Sequence, residues 1–294
     1  MKIILNQAYS FMQLGKRNNQ QDFRFPDCDE PQEYKPYFLV CDGVGGSQKG
    51  DIASQTVCSS FEKSMKGVNF DKLFSAEDFA KKLSKMYTDF DNAAKEYSAN
   101  MATTMTFVCF HRDGVMCAHI GDSRIYHIRP NEDILYRSED HSLVNTLARL
   151  GNITPDEAIN HPQSNYITRA VDYKENKNER SQATAVQITD IKAGDYFFLC
   201  TDGVVNMIDD GELFRILSSD ISDKEKIKII AQLSEQSLDN NTAYLIGIKE
   251  VKEQPQETYS MQDGGDTVPM KKQDKGSVNI KAKTSFFNIF KSLF

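Results

Sequence analysis

An α/β architecture of the α+β kind, with antiparallel sheets and helices packed outside them, is what this 294-residue sequence predicts. Short β-rich runs alternate with stretches whose apolar residues recur every three or four positions, and several runs are joined by turns short enough to be hairpins. Helices with one apolar face must then lie on sheets that have apolar faces of their own.

Tyr37–Cys41 (YFLVC) is the first candidate strand, followed by helical periodicity over Asp51–Met65 and Ala76–Tyr97. Thr103–Phe110 (TTMTFVCF) and Val115–Ile120 flank the turn HRDG, whose Asp-Gly pair suits a hairpin and makes the two strands antiparallel. Arg124–Ile128 is the next strand, then a helix over Leu143–Leu150, strands at Thr184–Ile188 and Tyr196–Cys200, a helix over Asp223–Gln236 and a last strand at Thr242–Ile248. Residues 1–250 thus form one domain. From Val251 the composition turns to Gln, Glu, Lys, Gly and Ser, so 251–285 reads as a disordered linker ahead of a short apolar segment, 286–294.

Formal charge is −7. The tail from Val251 holds seven lysines and five acids, so the body carries −9. An acidic body excludes general nucleic-acid affinity, because phosphate backbones attract basic surfaces. Six cysteines, at 28, 41, 58, 109, 117 and 200, have no CxxC or Cys/His spacing and are read as reduced core residues. No apolar run reaches the ~18 residues of a membrane span, and MKIILNQAYSF turns polar too soon for a secretory signal, so a cytoplasmic location is expected.

Four aspartates stand out. Asp42 follows YFLVC and precedes Gly43-Val44-Gly45-Gly46; Asp122 sits in Gly121-Asp122-Ser123-Arg124 after another strand; Asp202 follows FFLC-Thr201; Asp239-Asn240 precedes the last strand. Any one of these is an ordinary turn aspartate. Carboxylates that converge in a fold repel one another unless a cation compensates them, so together they imply a metal site. An all-oxygen set without Cys or His favours Mg²⁺ or Mn²⁺.

In order along the chain, Arg17 with Gln21-Asp22, Asp42-Gly43-Val44-Gly45-Gly46-Ser47, Gly50-Asp51-Ile52-Ala53-Ser54, Ala102-Thr103-Thr104, Gly121-Asp122-Ser123-Arg124, Asp140-His141-Ser142, Ile167-Thr168-Arg169-Ala170, Thr201-Asp202-Gly203 and Asp239-Asn240 resemble the motifs of the metal-dependent protein phosphatases of the 2C type, in their bacterial form. The resemblance runs from about Gly15 to Ile248. It implies a four-layer αββα sandwich, two central antiparallel β-sheets flanked by helices, with a two-metal centre at one end. Its activity would be hydrolysis of phosphoserine and phosphothreonine on proteins, by a hydroxide bridging two divalent ions, Mn²⁺ or Mg²⁺. By position, Asp42 bridges both ions, Asp202 and Asp239 complete the first, the Gly43 carbonyl serves the second, and Asp122 with Asp202 holds a third, weaker ion. Asp42 and Asp202 are then the catalytic carboxylates, Asp22 and Gln21 act through water on the ions, and Arg17 binds phosphate, a surface salt bridge being the alternative for Arg17.

Departures accompany the matches. Gln20 stands where the family has Asn, Ala102 replaces a Gly, Asp51 a Glu, and Val44 takes the place of a histidine that many eukaryotic members carry. Residues 146–180 correspond to a flap beside the metals, which could select substrates. Phosphorylated proteins are the implied partners, with a Ser/Thr kinase as a candidate and a monomer as the expected state. In the tail, Phe286, Ile289, Phe290, Leu293 and Phe294 share one helical face, suited to docking on a protein or an anionic membrane surface, or to packing back on the domain. The other reading of the whole is a pseudophosphatase that binds phosphoproteins without turnover, against which stands the presence of Asp42, Asp202 and Asp239.

Overall fold

The structure is a computed structural model, described for residues 1–32, 35–159 and 161–252. The expected linker, past residue 252, and the apolar C-terminal segment lie outside the described residues.

The chain opens with β1 (Lys2–Leu5), β2 (Tyr9–Gln13), β3 (Phe23–Phe25) and β4 (Tyr37–Cys41), then α1 (Gly50–Ser64) and α2 (Ala76–Tyr97). Strands β5 (Ala102–Thr103), β6 (Met105–His111), β7 (Gly114–Ile120), β8 (Arg124–Arg129) and β9 (Asp133–Arg137) follow. Two short helices, α3 (Leu143–Arg149) and α4 (Pro155–Ile159), lead to β10 (Val171–Asp172), β11 (Thr184–Ile188) and β12 (Tyr196–Cys200). Helices α5 (Asp202–Val205), α6 (Asp210–Leu217) and α7 (Asp223–Ser234) precede β13 (Asn241–Lys252).

Two antiparallel sheets form the centre. One has the order β1-β13-β12-β8-β9, with β2 also on β13; the other has the order β11-β7-β6-β4-β3. Alternation along each strand sorts the core into three layers. Phe38 and Val40 of β4 meet Phe197 and Leu199 of β12 and Tyr244 and Ile246 of β13 between the sheets. Tyr37, Leu39 and Cys41 face the other way, into a core with Phe61 of α1 and Phe79, Met86 and Phe90 of α2. Phe198 and Cys200 point out onto Val204, Leu213, Ile216 and Ile230, contributed by α5, α6 and α7. The result is the four-layer αββα sandwich. Burial of both faces also explains why β4, β6, β7 and β12 read as unbroken apolar runs.

The hairpin at HRDG is present, with His111 paired to Gly114. Capping boxes start two of the outer helices: Ser75 with Asp78 at α2, and Ser222 with Glu225 at α7. Elsewhere the structure corrects the expected boundaries. The strand expected over Thr103–Phe110 is two strands separated at Thr104, whose backbone and hydroxyl turn aside to bond Asp42. The last strand runs on to Lys252 because β1 pairs with its far end, Lys2 opposite Lys252. Cys28 is exposed rather than part of the core; the other five cysteines are buried. Among the described residues no helix is long and apolar enough to cross a membrane.

Candidate active site

The acidic residues are delivered by strand ends from both sheets. Asp42 ends β4, and its backbone is clamped there: Asp42 N donates to Thr104 Oγ1 at 2.9 Å, and Asp42 O accepts from Thr104 N and Thr103 Oγ1, both at 2.8 Å. Thr104 Oγ1 lies 2.7 Å from Ser123 Oγ, beside Asp122. Gly43 permits the close approach that follows. A Cβ there would lie 2.5 Å from Gly50 O and 2.7 Å from Gln21 O, so no larger residue fits. Gly121 has φ +104, and a Cβ would strike Thr104 Cγ2 at 2.6 Å; this turn aims Asp122.

From the other sheet, Thr201 and Asp202 follow β12. Thr201 Oγ1 donates to Asp22 Oδ2 at 3.0 Å and accepts from Thr242 N at 3.0 Å, which fixes the buried Asp22 between β12 and β13. Gln20 takes over the local bonding at its position, its Oε1 accepting from Asp22 N at 2.9 Å. Gln21 works through its backbone: its N–H bonds Asn240 Oδ1, and its carbonyl accepts from Gly43 N and Ser54 Oγ. Its side-chain amide packs against Gly50. Arg17 donates to Asp239 Oδ2 at 2.6 Å.

Arg17, Asp42, Val44, Gly45, Asp122, Asp202 and Asp239 line one cavity of about 640 Å³. A second cavity of about 740 Å³, under the α3–α4 segment, shares Asp122, Asn165, Asp202 and Asn206 with it. Burial, then the charges of Asp22, Asp202, Asp122 and Asp239, push the Asp42 carboxyl well above the usual carboxylate range. Asp202 is also raised, by burial and then by Asp239. Burial foremost pushes Asp22 up to about 7 and Asp122 up to about 7, with Asp202 adding to both. Asp42, Asp122, Asp202 and Asp239 line the one cavity, and Asp22 is buried against Thr201 beside Asp202.

A divalent cation fits this place. Asp22 Oδ1 and Asp202 Oδ1 are buried with no hydrogen-bond partner, and carboxylate oxygens left bare among like charges are what a hard cation compensates. Among the described residues no three His, Cys, Asp or Glu side chains are already closed around one point. Asp239 is engaged by Arg17 instead.

The structure thus gathers Asp22, Asp42, Asp122, Asp202 and Asp239 with Arg17 and the Gly43 turn. Four contributors have no role in the sequence reading. Asn240 ties Gln21 to Leu14, Asn206 donates to Asp202 Oδ2 at 3.4 Å, and Met207 and Leu238 line the rim. Only Asn240, beside Asp239, carried any signal, and their positions depend on contacts far along the chain.

The carboxylates gathered at one end of an antiparallel αββα sandwich define a candidate divalent-cation site. The protein phosphatase 2C family profile matches residues 16–236. A protein phosphatase 2C-type protein of Streptococcus pyogenes is 32% identical over 241 residues, 79% of this chain and 92% of that one. The serine/threonine phosphatase Stp of Listeria monocytogenes is 31% identical over 225 residues, 74% of this chain and 86% of its own. The solved catalytic domain of the serine/threonine protein phosphatase PstP, in complex with two manganese ions, superposes with a TM-score of 0.68 at 23% identity, covering 85% of this chain and all of that one. The chain belongs to the protein phosphatase 2C family.

Proposed function

We propose that this protein-serine/threonine phosphatase hydrolyses phosphoserine and phosphothreonine esters of other proteins in the cavity that Asp42, Asp202 and Asp239 line. The observation that carries the reading is the gathering of Asp42, Asp122, Asp202 and Asp239, from both sheets, on one cavity, with Asp22 Oδ1 and Asp202 Oδ1 buried and lacking any partner. Asp42, Asp202, Asp239 and the Gly43 carbonyl would hold two divalent ions, Mn²⁺ or Mg²⁺, and Asp122 with Asp202 a weaker third. Such ions would supply a water acidified enough to be a nucleophile towards phosphorus at neutral pH. Asp22, whose Oδ1 is buried without a partner, would act on the ions through water.

Arg17 uses one N–H on Asp239 and keeps the rest of its planar fork for phosphate oxygens, so ion pairing and phosphate binding are compatible. No protein nucleophile is needed. Val44 offers no proton at its position, so the leaving alkoxide takes its proton from water. The substrates would be phosphorylated proteins in the cytoplasm, the phosphate having been placed there by a Ser/Thr kinase, and the enzyme would work as a monomer.

The test is hydrolysis of a phosphothreonine peptide with Mn²⁺, Mg²⁺ or chelator, wild type beside Asp202→Ala. Turnover that needs the ion and vanishes in the variant is expected. Turnover that persists in excess chelator would refute the reading.

A further inference from the structure

The acidic cavity is lined in part by apolar side chains that phosphate hydrolysis leaves unused. Met207 and Leu238 line the same cavity as Asp42, Asp202 and Asp239, together with Val44 and Ile167. Leu238 is 78% exposed and Met207 43%. One exposed leucine is ordinary on a protein surface; two large aliphatic side chains held open at the mouth of one charged cavity mark a contact surface.

Neither is loose. Leu238 lies between Ser237 and Asp239: Ser237 O accepts from Lys16 N at 3.0 Å, Ser237 N donates to Ser234 O at 2.9 Å, and Asp239 N donates to Ser237 Oγ at 3.2 Å. Met207 N donates to Val204 O at 3.0 Å, just after Asn206, whose amide reaches Asp202. Both side chains are therefore presented to solvent by a backbone that is already fixed next to the acids, so that binding has only their side-chain rotamers left to order.

We propose that Leu238 and Met207 form an apolar shelf for the aliphatic residue next to the phosphorylated one in the substrate. The preferred substrates are then phosphoserine or phosphothreonine flanked by Leu, Ile, Val or Met. The inference rests on the phosphatase reading of the same cavity. Consecutive Cα atoms lie ~3.8 Å apart, so a phosphoresidue seated over the carboxylates brings its neighbours to the rim. An aliphatic neighbour there loses contact with water and gains contact with Leu238 and Met207, whereas a polar one gives up hydration for nothing.

Two phosphothreonine peptides, identical except for Leu or Ser on both sides of the phosphothreonine, test this with Mn²⁺ present. The wild-type kcat/KM should favour the Leu peptide by about tenfold, the scale of discrimination an apolar contact gives. In the Leu238→Ser/Met207→Ser double variant that ratio should fall to about one, with Leu238→Ser alone in between. A loss from structural damage would lower both peptides together and keep the ratio. A wild-type ratio near one, or a ratio unchanged in the double variant, overturns the shelf while leaving the phosphatase standing. Failure of the wild type to hydrolyse either peptide overturns the phosphatase reading itself.

Discussion

Asp202 shows how much one side chain does. It emerges where β12 gives way to α5, carries a buried oxygen without a partner, and lines both cavities. Replacing it with Ala should cut kcat for a phosphothreonine peptide by roughly three orders of magnitude, about 4 kcal/mol of barrier, with the far-UV spectrum unchanged. Arg17→Ala should act differently if, as proposed, its fork meets the phosphate in ground and transition states alike. We expect KM to rise about tenfold and kcat to change by less than about threefold in steady-state assays; a loss confined to kcat would remove Arg17 from phosphate binding. Asp42, Asp122 and Asp202 were legible because each follows an apolar run and stands beside glycine, and Asp239 because with Asn240 it precedes one, a pattern visible without any fold. Thr104, Asn206 and Leu238 were not assigned roles, since what they touch depends on chain returning from a distance.

At the level of elements, strands buried on both faces announced themselves, while of the edge strands β1, β3, β9 and β11 only β11 did. β9 alternates between exposed and half-buried along DILYR, and β1 (KIIL) is exposed to half-buried and only four residues long, so neither forms the long buried apolar run that marks the central strands. β3 is only three residues long. One connection between elements has a measurable pH signature. Asp195, at the entrance to β12 and 1% exposed, accepts from Arg129 Nε of β8 at 2.8 Å and from Lys192 N at 2.9 Å, and lies 2.8 Å from His127 Nε2. Against its burial, the His127, Arg129 and backbone hydrogen bonds hold its carboxyl below the ordinary 3.8, at about 2. A carboxyl depressed on folding stabilises the fold above its unfolded pKa, and that stabilisation is lost as pH falls from about 4 to about 2. Asp195→Asn should therefore cost about 2 kcal/mol at pH 7, read from urea midpoints, and the gap to wild type should close below about pH 2. A gap independent of pH would refute this account. At the start of α2, Ser75 Oγ accepts from Asp78 N while the Asp78 carboxylate accepts from Ser75 N. Ser75→Ala should lower stability by about 1 kcal/mol in the same urea titration, and no change would mean that the packing of α2 alone sets its start.

Across the whole molecule, the candidate site is also a joint between the sheets. Asp42 ends β4 of one sheet and Asp202 follows β12 of the other, with Phe38, Val40, Phe197 and Leu199 packed between the same two strands. Without a cation, the sandwich bears the mutual repulsion of its buried carboxylates at the one end where its layers must meet. A divalent ion binding only the folded state stabilises it by about 2.7 kcal/mol at a hundred times its Kd. For a body of this size that is roughly 5 to 10 °C in Tm. Mn²⁺ should therefore raise the Tm of the wild type by that amount, and chelator should reverse it. Asp42→Asn removes one charge from the cluster while keeping its shape. Its ion-free Tm should lie above that of the wild type, and its response to Mn²⁺ should be largely gone. Calorimetry of both proteins, each with Mn²⁺ and with chelator, decides the matter: an equal Mn²⁺ shift in wild type and Asp42→Asn would mean that the ion binds somewhere other than between the two sheets.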